Sequence, residues 1–231
     1  MTRPWTSVDS VETAEGTLEL RQRGAHEFLI TLAGRVLMNS AASRSEEALG
    51  HVACAEIATK SLPRVLVGGL GMGFTLRATL GGLPRGAHVR VSELNESVLH
   101  WCRGPLAELN DHAVEDPRVT VELEDVADAI ETAARSGAAR FDAILLDLYE
   151  GPHPASRSAA PHREHPHYGA TALAHSRAAL DAGGVLAIWS EDPDPAFERA
   201  LERAGFAVRV ERPGRGGRRH AVYLARAGAS R

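Results

Sequence analysis

A glycine-rich turn is the first feature of this chain that could support chemistry. The turn, Gly69-Leu70-Gly71-Met72-Gly73, follows the apolar segment Arg64-Val67 and precedes the helix-like segment Phe74-Ala78. Glycines allow a sharp strand-to-helix turn and a close approach of the backbone to a ligand, while the helix start offers free N–H groups. The turn therefore predicts a site for an adenosyl group, with a purely structural glycine turn as the alternative.

Two acidic residues extend this predicted cofactor site. Glu93 follows the strand-like segment His88-Ser92, about twenty residues after the turn, where a carboxylate can accept hydrogen bonds from both ribose hydroxyls. Asp125 follows the next strand and could accept from an adenine amino group, or it could simply cap the helix that follows. A solvated loop charge is the alternative for Glu93. The residues assigned to cofactor binding are Gly69, Gly71, Met72, Gly73, Glu93, Asp125 and Val126.

A third carboxylate predicts the chemical step. Asp147 follows Phe141-Leu146, the most apolar strand-like segment, and should lie where the reacting end of the cofactor is held. Such a carboxylate can bind an ammonium group, orient the amine and accept its proton, although it could instead anchor the loop. Glu150 is either a second amine ligand or a solvated loop charge. Tyr168 either lines the amine pocket or anchors the loop.

These residues need a sheet to bring them together, and the chain alternates apolar runs with helical stretches in the manner of buried parallel strands and crossover helices. We predict an α/β fold with a Rossmann-like, mostly parallel seven-stranded sheet ending in an antiparallel hairpin, in residues 43–231. A small β appendage should occupy residues 1–42, with Ala33-Gly34 as a tight turn. Ser43 and Glu46 have the spacing of a capping box. The predicted strands after the appendage are Arg64-Val67, His88-Ser92, Arg118-Glu122, Phe141-Leu146, Gly184-Trp189, Phe206-Glu211 and Ala221-Ala225, and the predicted helices include Phe74-Leu80, Asn95-Leu109, Val126-Ser136, Ala170-Leu180 and Pro195-Ala204.

With these motifs in place, the chain resembles the spermidine synthase (polyamine aminopropyltransferase) family, whose fold is that of class I S-adenosylmethionine methyltransferases. The segment from Val65 to Arg77 is similar to that family's strand, glycine turn and Thr-Leu-Arg helix start, and Asp147 to Pro152 looks like a shortened form of its catalytic loop. The resemblance implies that Glu93 binds ribose, that Asp125 lies beside adenine, and that Asp147 and Glu150 are the two acids of the catalytic loop. It also suggests a homodimer.

Met72 is a departure from that resemblance, because the family has an Asp at this position of the turn. That Asp normally faces the aminopropyl amine of decarboxylated S-adenosylmethionine, whereas a thioether cannot pair with an ammonium. Decarboxylated S-adenosylmethionine and S-adenosylmethionine are therefore both considered as the co-substrate. The leading hypothesis is aminopropyl transfer to a small amine. A methyltransferase acting on a small amine and a non-catalytic nucleoside-binding protein are the alternatives.

The composition of the chain limits the kinds of partner that we expect it to bind. The chain has 231 residues and a formal net charge of −4, which gives no general reason to expect nucleic acid or an anionic membrane as a partner. The N-terminus lacks a signal-peptide core and no stretch could span a bilayer, so we expect a cytoplasmic protein. Cys54 and Cys102 should be buried hydrophobic residues. No metal is expected from His153, His162, His165 and His167, because their irregular loop lacks metal-ligand spacing. The basic run Arg212-Arg219 should form a solvated hairpin tip.

Overall fold

The structure is a computed structural model that describes residues 3–137, 140–149, 151–152, 165–213 and 220–228. Strands within these ranges are β1 (Thr6–Thr13), β2 (Gly16–Arg23), β3 (Glu27–Leu32), β4 (Arg35–Asn39), β5 (Arg64–Gly68), β6 (His88–Glu93), β7 (Val119–Leu123), β8 (Phe141–Leu146), β9 (Leu180–Ser190), β10 (Phe206–Glu211) and β11 (Ala221–Ala227). The helices are α1 (Arg44–Glu56), α2 (Phe74–Gly82), α3 (Glu96–Arg103), α4 (Val126–Ser136), α5 (Ala170–Ala179) and α6 (Pro195–Arg203), with a 3₁₀ turn at Ala113–Glu115.

The larger sheet has seven strands in the order β10-β11-β9-β8-β5-β6-β7. The five strands from β9 to β7 are parallel, whereas β11 pairs antiparallel with β9 and β10 pairs antiparallel with β11. All six residues of β8 are buried, as expected for a parallel strand covered on both faces. This topology confirms the predicted fold class. It also brings the carboxyl ends of β5, β6, β7 and β8 to one edge of the sheet.

The smaller sheet is formed by the N-terminal segment and has the order β1-β2-β3-β4, with every pair antiparallel. The predicted turn at Ala33-Gly34 is present, with positive φ angles of 47° and 78° that match a two-residue hairpin turn. Strand β1 is absent from the sequence prediction. Its side chains are mostly exposed, so it carries little apolar pattern and is held by its backbone pairing with β2.

The prediction differs most from the structure at two boundaries and one helix cap. Helix α3 ends at Arg103, followed by Gly104, and not at Leu109. Strand β9 begins at Leu180, four residues before the predicted Gly184. Ser43 precedes α1 without capping it through its side chain, because its hydroxyl donates to Glu47 Oε1 at 3.0 Å. The predicted capping box is therefore wrong, and Glu46 is left for another role.

The core lies on both faces of the larger sheet, since neighbouring residues of a strand point to opposite sides. Val65 and Val67 belong to one apolar cluster and Leu66 to the other. The first cluster also includes Leu18 and Phe28 of the smaller sheet, so the two sheets share buried apolar surface. Among the described residues no helix combines the length and apolarity needed to cross a membrane.

Candidate active site

The glycine turn joins β5 to α2 through backbone geometry that a larger residue could not adopt without strain. Gly69 has φ +87°, its N–H donates to Ser92 O at 2.9 Å, and an added Cβ would lie 2.5 Å from Asp147 O. Gly73 has φ +84° at the N-cap of α2, and its Cβ would lie 2.7 Å from Asn110 Cβ. The turn is thus held directly against the end of β8.

The other residues of the turn present backbone to the sheet edge. Gly71 has φ +52°, and the sulfur of Met38 from β4 occupies the space beside its Cα. Met72 is fully buried, and its side chain packs in the core. Cys102 of α3 donates to Gly71 O at 3.3 Å, and burial raises its pKa to about 12, so it behaves as the predicted buried hydrophobic residue. Any contact that Met72 makes with a ligand is therefore through its backbone.

Glu93 ends β6 and is fixed against the turn. Its Oε2 accepts from Leu70 N–H at 2.9 Å and its Oε1 accepts from Asn95 N–H at 2.8 Å. Burial raises the pKa of Glu93, and the backbone N–H donors partly oppose that effect. The backbone N–H groups of Leu94 and Gly71 also act on this carboxylate, so ribose hydroxyls would have to share it with them. The predicted ribose acid therefore lies beside the turn.

Two exposed leucines near Glu93 were missed by the sequence reasoning. Leu94 is 71% exposed directly after β6, and Leu123 is 50% exposed at the end of β7. Large apolar side chains at the carboxyl edge of a parallel sheet are available to a flat apolar ring. The signal in the sequence was an apolar residue between Glu93 and Asn95, in a position where a loop is otherwise polar.

Asp125 caps α4, as one of its two predicted roles requires. Its Oδ1 accepts from Ala127 N–H at 2.8 Å and lies 3.0 Å from His167 Nε2. Burial acts to raise the pKa of Asp125, but the bonds from Ala127 and His167 prevail and lower it. Both contacts use Oδ1, so the hydrogen bond predicted from the adenine amino group would have to be accepted by Oδ2. Val126 is buried next to Gly68, with its Cγ2 2.7 Å from where a Cβ on that glycine would lie.

Asp147 lies directly after β8, with its N–H donating to Gly68 O at 2.9 Å. Its Oδ2 accepts from the hydroxyl of Thr75 in α2 at 2.5 Å. Burial, and then the negative charge of Glu46, raise the pKa of Asp147 to about 7 against the opposing bond from Thr75. Sequence reasoning placed Asp147 at this edge. It missed Glu46, which was interpreted only as part of a capping box.

Of the other two predicted catalytic residues, only Tyr168 lies in the described part of the chain. Glu150 lies outside the described residues, as does most of the predicted histidine-rich loop. Tyr168 is 1% exposed, and its ring centre lies 4.8 Å from that of His165 and 5.8 Å from that of Phe197, which favours the anchoring role. Within the described ranges, no three His, Cys, Asp or Glu side chains are placed to hold a metal.

The smaller sheet reaches the same region. Arg35 of β4 places its guanidinium carbon 5.0 Å from the ring centre of Tyr149, two residues after Asp147. A cation over an aromatic face is attracted by the ring. Together with Met38 over Gly71, this contact means that β4 packs against both the turn and the segment after β8.

The class of protein follows from fold and site together. The fold is a Rossmann-like fold of the class I methyltransferase type, because it has a mostly parallel sheet with an antiparallel hairpin, a glycine turn after β5, the middle one of the five parallel strands, and acids at the ends of β6, β7 and β8. In open sheets of this kind the ligand crevice lies at the carboxyl edge of the strands.

Comparison with known proteins is more specific. Over 148 residues the chain is 32% identical to a polyamine aminopropyltransferase of Prochlorococcus marinus (strain MIT 9313), and the match covers 64% of this chain and 46% of the relative. The matched part of the chain thus spans less than half of that relative's length. No family model matches the chain.

Solved structures show the same relationship at the level of fold. A spermidine synthase in complex with the transition-state analogue AdoDATO superposes with a TM-score of 0.73 and 19% identity, covering 97% of this chain and 73% of that one. The spermidine synthase of Thermotoga maritima gives a TM-score of 0.73 and 19% identity, with 97% and 74% covered. The chain therefore has a spermidine synthase-like fold, and the resemblance predicted from its motifs is confirmed.

Proposed function

We propose that this chain is a transferase that moves an alkyl group, in the leading case aminopropyl, from an S-adenosyl sulfonium donor to a small amine. The observation that carries the proposal is Asp147, whose backbone carbonyl lies against Gly69 of the glycine turn and whose carboxyl accepts from the Thr75 hydroxyl at the end of β8. Its pKa of about 7 suits a group that must take a proton near neutral pH. The name of the sequence relative and of both structural relatives supports the same activity.

The raised pKa of Asp147 matters because an aliphatic amine enters as an ammonium with a pKa of about 10. An ordinary aspartate, at 3.8, would have to accept that proton against a large difference in acidity, whereas at about 7 the difference is smaller by roughly 3 units. Since one unit corresponds to about 1.4 kcal/mol, the environment of Asp147 reduces the cost of proton transfer by about 4 kcal/mol as an upper figure. Burial is the main cause and the charge of Glu46 the next.

The proposed step is a direct displacement. Asp147 takes a proton from the ammonium, the nitrogen lone pair forms a bond to the carbon next to the sulfonium, and the carbon–sulfur bond breaks with its electron pair remaining on sulfur. The products are an alkylated ammonium, a neutral thioether and the proton on Asp147, which passes to solvent. Because the transition state needs no covalent enzyme intermediate, positioning and exclusion of water supply the catalysis.

The nucleoside part of the donor would be held by the predicted cofactor residues. Glu93 would accept from the ribose hydroxyls, Oδ2 of Asp125 would accept from the adenine amino group, and Leu94 would cover one face of the base. The turn would approach the sulfonium end through its backbone. No metal takes part in the proposal.

A second activity remains as an alternative because the donor could be S-adenosylmethionine or its decarboxylated form. Met72 is apolar and fully buried, so its side chain offers no carboxylate to a donor ammonium. This favours, as the alternative, an S-adenosylmethionine-dependent methyltransferase acting on the same amine. The proposal further includes a homodimer, as the resemblance suggests, and a location in the cytoplasm. Light scattering of the purified protein checks the dimer.

The experiment incubates the protein with putrescine and either decarboxylated S-adenosylmethionine or S-adenosylmethionine, and separates the nucleoside products. Release of methylthioadenosine with the first donor supports aminopropyl transfer. Release of S-adenosylhomocysteine with the second moves the assignment to methyl transfer. Binding of methylthioadenosine by calorimetry without consumption of the amine, unchanged in Asp147→Asn, establishes a nucleoside-binding protein, and absence of binding to any adenosyl thioether refutes the proposal.

A further inference from the structure

His167 contacts the acid that the proposed function assigns to adenine. Its Nε2 lies 3.0 Å from Asp125 Oδ1, although the two residues are 42 positions apart in the chain. An ionised carboxylate has only acceptor positions, so His167 must donate through an Nε2–H group. A neutral ring with its hydrogen on Nε2 can do this as well as a charged one. The side chain of His167 is 18% exposed and that of Asp125 is 36% exposed, so a ligand can reach the pair.

The turn that carries His167 is held by its own contacts. The N–H of His167 donates to His165 Nδ1 at 3.2 Å, and Gly169 N–H donates to His165 O at 2.8 Å. The next side chain, Tyr168, is 1% exposed and packs edge-on against Phe197, with 5.8 Å between the ring centres. The His167 ring is thus presented to the start of α4 by a packed turn.

The two helices that follow these residues are packed together, which fixes the distance between them. Asp125 is the N-cap of α4 and Gly169 is the N-cap of α5. Ile130 of α4 and Leu173 of α5 lie in the same apolar cluster. Separation of the His167 ring from the acid would therefore require the turn or one helix to move against the core.

The contact leaves one oxygen of Asp125 for a ligand. Oδ1 accepts from Ala127 N–H at 2.8 Å and from His167, whereas no hydrogen bond reaches Oδ2 from the described part of the chain. Two donors on one oxygen limit the rotation of the carboxylate. Burial acts to raise the pKa of Asp125, but these two bonds prevail and lower it, so Oδ2 is an acceptor near neutral pH. Such an oxygen accepts from an amino group and has no hydrogen to donate to a carbonyl or a ring nitrogen.

We propose that His167 is a positioning residue for recognition of the base, which holds Asp125 so that Oδ2 accepts from the exocyclic amino group of a purine and disfavours purines that lack it. The inference rests on the nucleoside part of the proposed function, and it assigns to a residue of the turn before α5 the selectivity of that site. A purine without the amino group is penalised because Oδ2 loses its water and gains no donor.

The test measures two affinities by calorimetry, those of methylthioadenosine and of the methylthio derivative of purine riboside, which is the same nucleoside without its exocyclic amino group. In His167→Phe the first affinity should fall about three- to tenfold, while the second stays within about twofold of that of the unmodified protein. His167→Gln keeps an N–H donor near the position of Nε2 and should restore most of the loss. The control His175→Phe replaces a histidine within α5 and should change neither affinity.

A double-mutant cycle shows whether His167 acts through Asp125. In an Asp125→Ala background, His167→Phe should weaken methylthioadenosine binding no further, because the carboxylate that it positions is gone. A second loss in that background, as large as in the unmodified protein, would overturn the inference.

Equal weakening of both nucleosides in His167→Phe also overturns it, because the variant would then act on the shape of the site as a whole. Unchanged binding of both nucleosides does the same. The failure of the proposed function looks different: both nucleosides would bind and be discriminated through His167, yet the unmodified protein would transfer no group from either donor. Absence of nucleoside binding in the unmodified protein would overturn the two proposals together.

Discussion

Asp147 is the residue on which both chemistry and stability depend, and its effect on stability has a definite sign. The folded protein raises its pKa to about 7 from 3.8, so below about pH 4 the acid is neutral in both states and costs nothing. As pH rises toward 7 the unfolded chain loses this proton first, and stability falls. The penalty is complete above about pH 7.

We therefore predict that Asp147→Asn stabilises the protein at pH 8, relative to its effect at pH 3.5, by about 1–4 kcal/mol. The Asn carbonyl can still accept from the Thr75 hydroxyl. Activity should fall by about 10²–10⁴-fold because the proton acceptor is lost. Urea unfolding at the two pH values measures the first effect, and an equal change in the free energy of unfolding at both would contradict it.

Asp142, which lies in the strand that Asp147 follows, provides the matched control. It is 6% exposed, pairs with Lys60 Nζ at 2.8 Å and accepts from Arg64 N–H at 2.9 Å. Because this carboxylate has its partners, Asp142→Asn should destabilise the protein by about 1 kcal/mol at pH 8, the opposite direction to Asp147→Asn.

Asp125 can be assigned to capping or to adenine binding by comparison with another cap. Asp194 caps α6 in the same way, with its Oδ1 accepting from Ala196 N–H at 2.8 Å. Both Asp125→Ala and Asp194→Ala should cost about 1 kcal/mol of stability. Only Asp125→Ala should weaken methylthioadenosine binding, by about five- to tenfold in calorimetry. If the two variants bind the nucleoside equally well, Asp125 is a cap and nothing more.

Glu93, Asp125 and Asp147 could be predicted from the sequence because each one follows a recognisable strand. The topology of a parallel sheet is then enough to place them at its carboxyl edge. The effects of Thr75 and Glu46 on Asp147 could not be predicted from the sequence, because they depend on contacts between distant segments. Thr75 and Asp147, for example, are 72 residues apart. His167 was likewise considered only as part of a loop. Its contact with Asp125 joins residues 42 positions apart.

At the scale of elements, the glycine turn can be tested with two glycine-to-alanine changes that should have opposite signs. Gly69→Ala places a methyl group against Asp147 O at positive φ and should cost about 1–3 kcal/mol, together with loss of nucleoside binding. Gly81→Ala lies in α2, with nothing within 4 Å of its added Cβ. It should stabilise the protein by about 0.5–1 kcal/mol and leave binding unchanged. Thermal unfolding and calorimetry measure both effects, and nucleoside binding by Gly69→Ala at unmodified affinity would contradict the role of the turn.

The elements were predictable to different degrees for a physical reason. Strands β5 and β8 are buried on both faces, so their continuous apolar runs located them to within one residue. Strand β1 has little buried surface and was missed. Helix α3 was extended too far, because Leu106 and Leu109 continue an apolar spacing after the chain has left the helix at Gly104.

At the scale of the whole molecule, the two sheets are tied by polar and apolar contacts. Trp101 Nε1 of α3 donates to Asp9 Oδ2 of β1 at 2.7 Å, and this tryptophan is fully buried. Leu18, Leu20, Phe28 and Ile30 of the smaller sheet belong to the same apolar cluster as the strands of the larger one. Removal of residues 1–42 would therefore expose part of that cluster to water.

We accordingly predict that the chain unfolds in one cooperative transition, although its two sheets have separate hydrogen-bond networks. Shared burial couples them, since neither sheet can lose its structure without exposing apolar surface of the other. Calorimetry should show a single peak with equal van't Hoff and calorimetric enthalpies. Tryptophan fluorescence, which reports on Trp5 and Trp101 beside the smaller sheet and Trp189 in β9, should coincide with circular dichroism. Two separated transitions would instead show that residues 1–42 form a unit of their own, and β4 would then be able to leave the active site while the larger sheet remains folded.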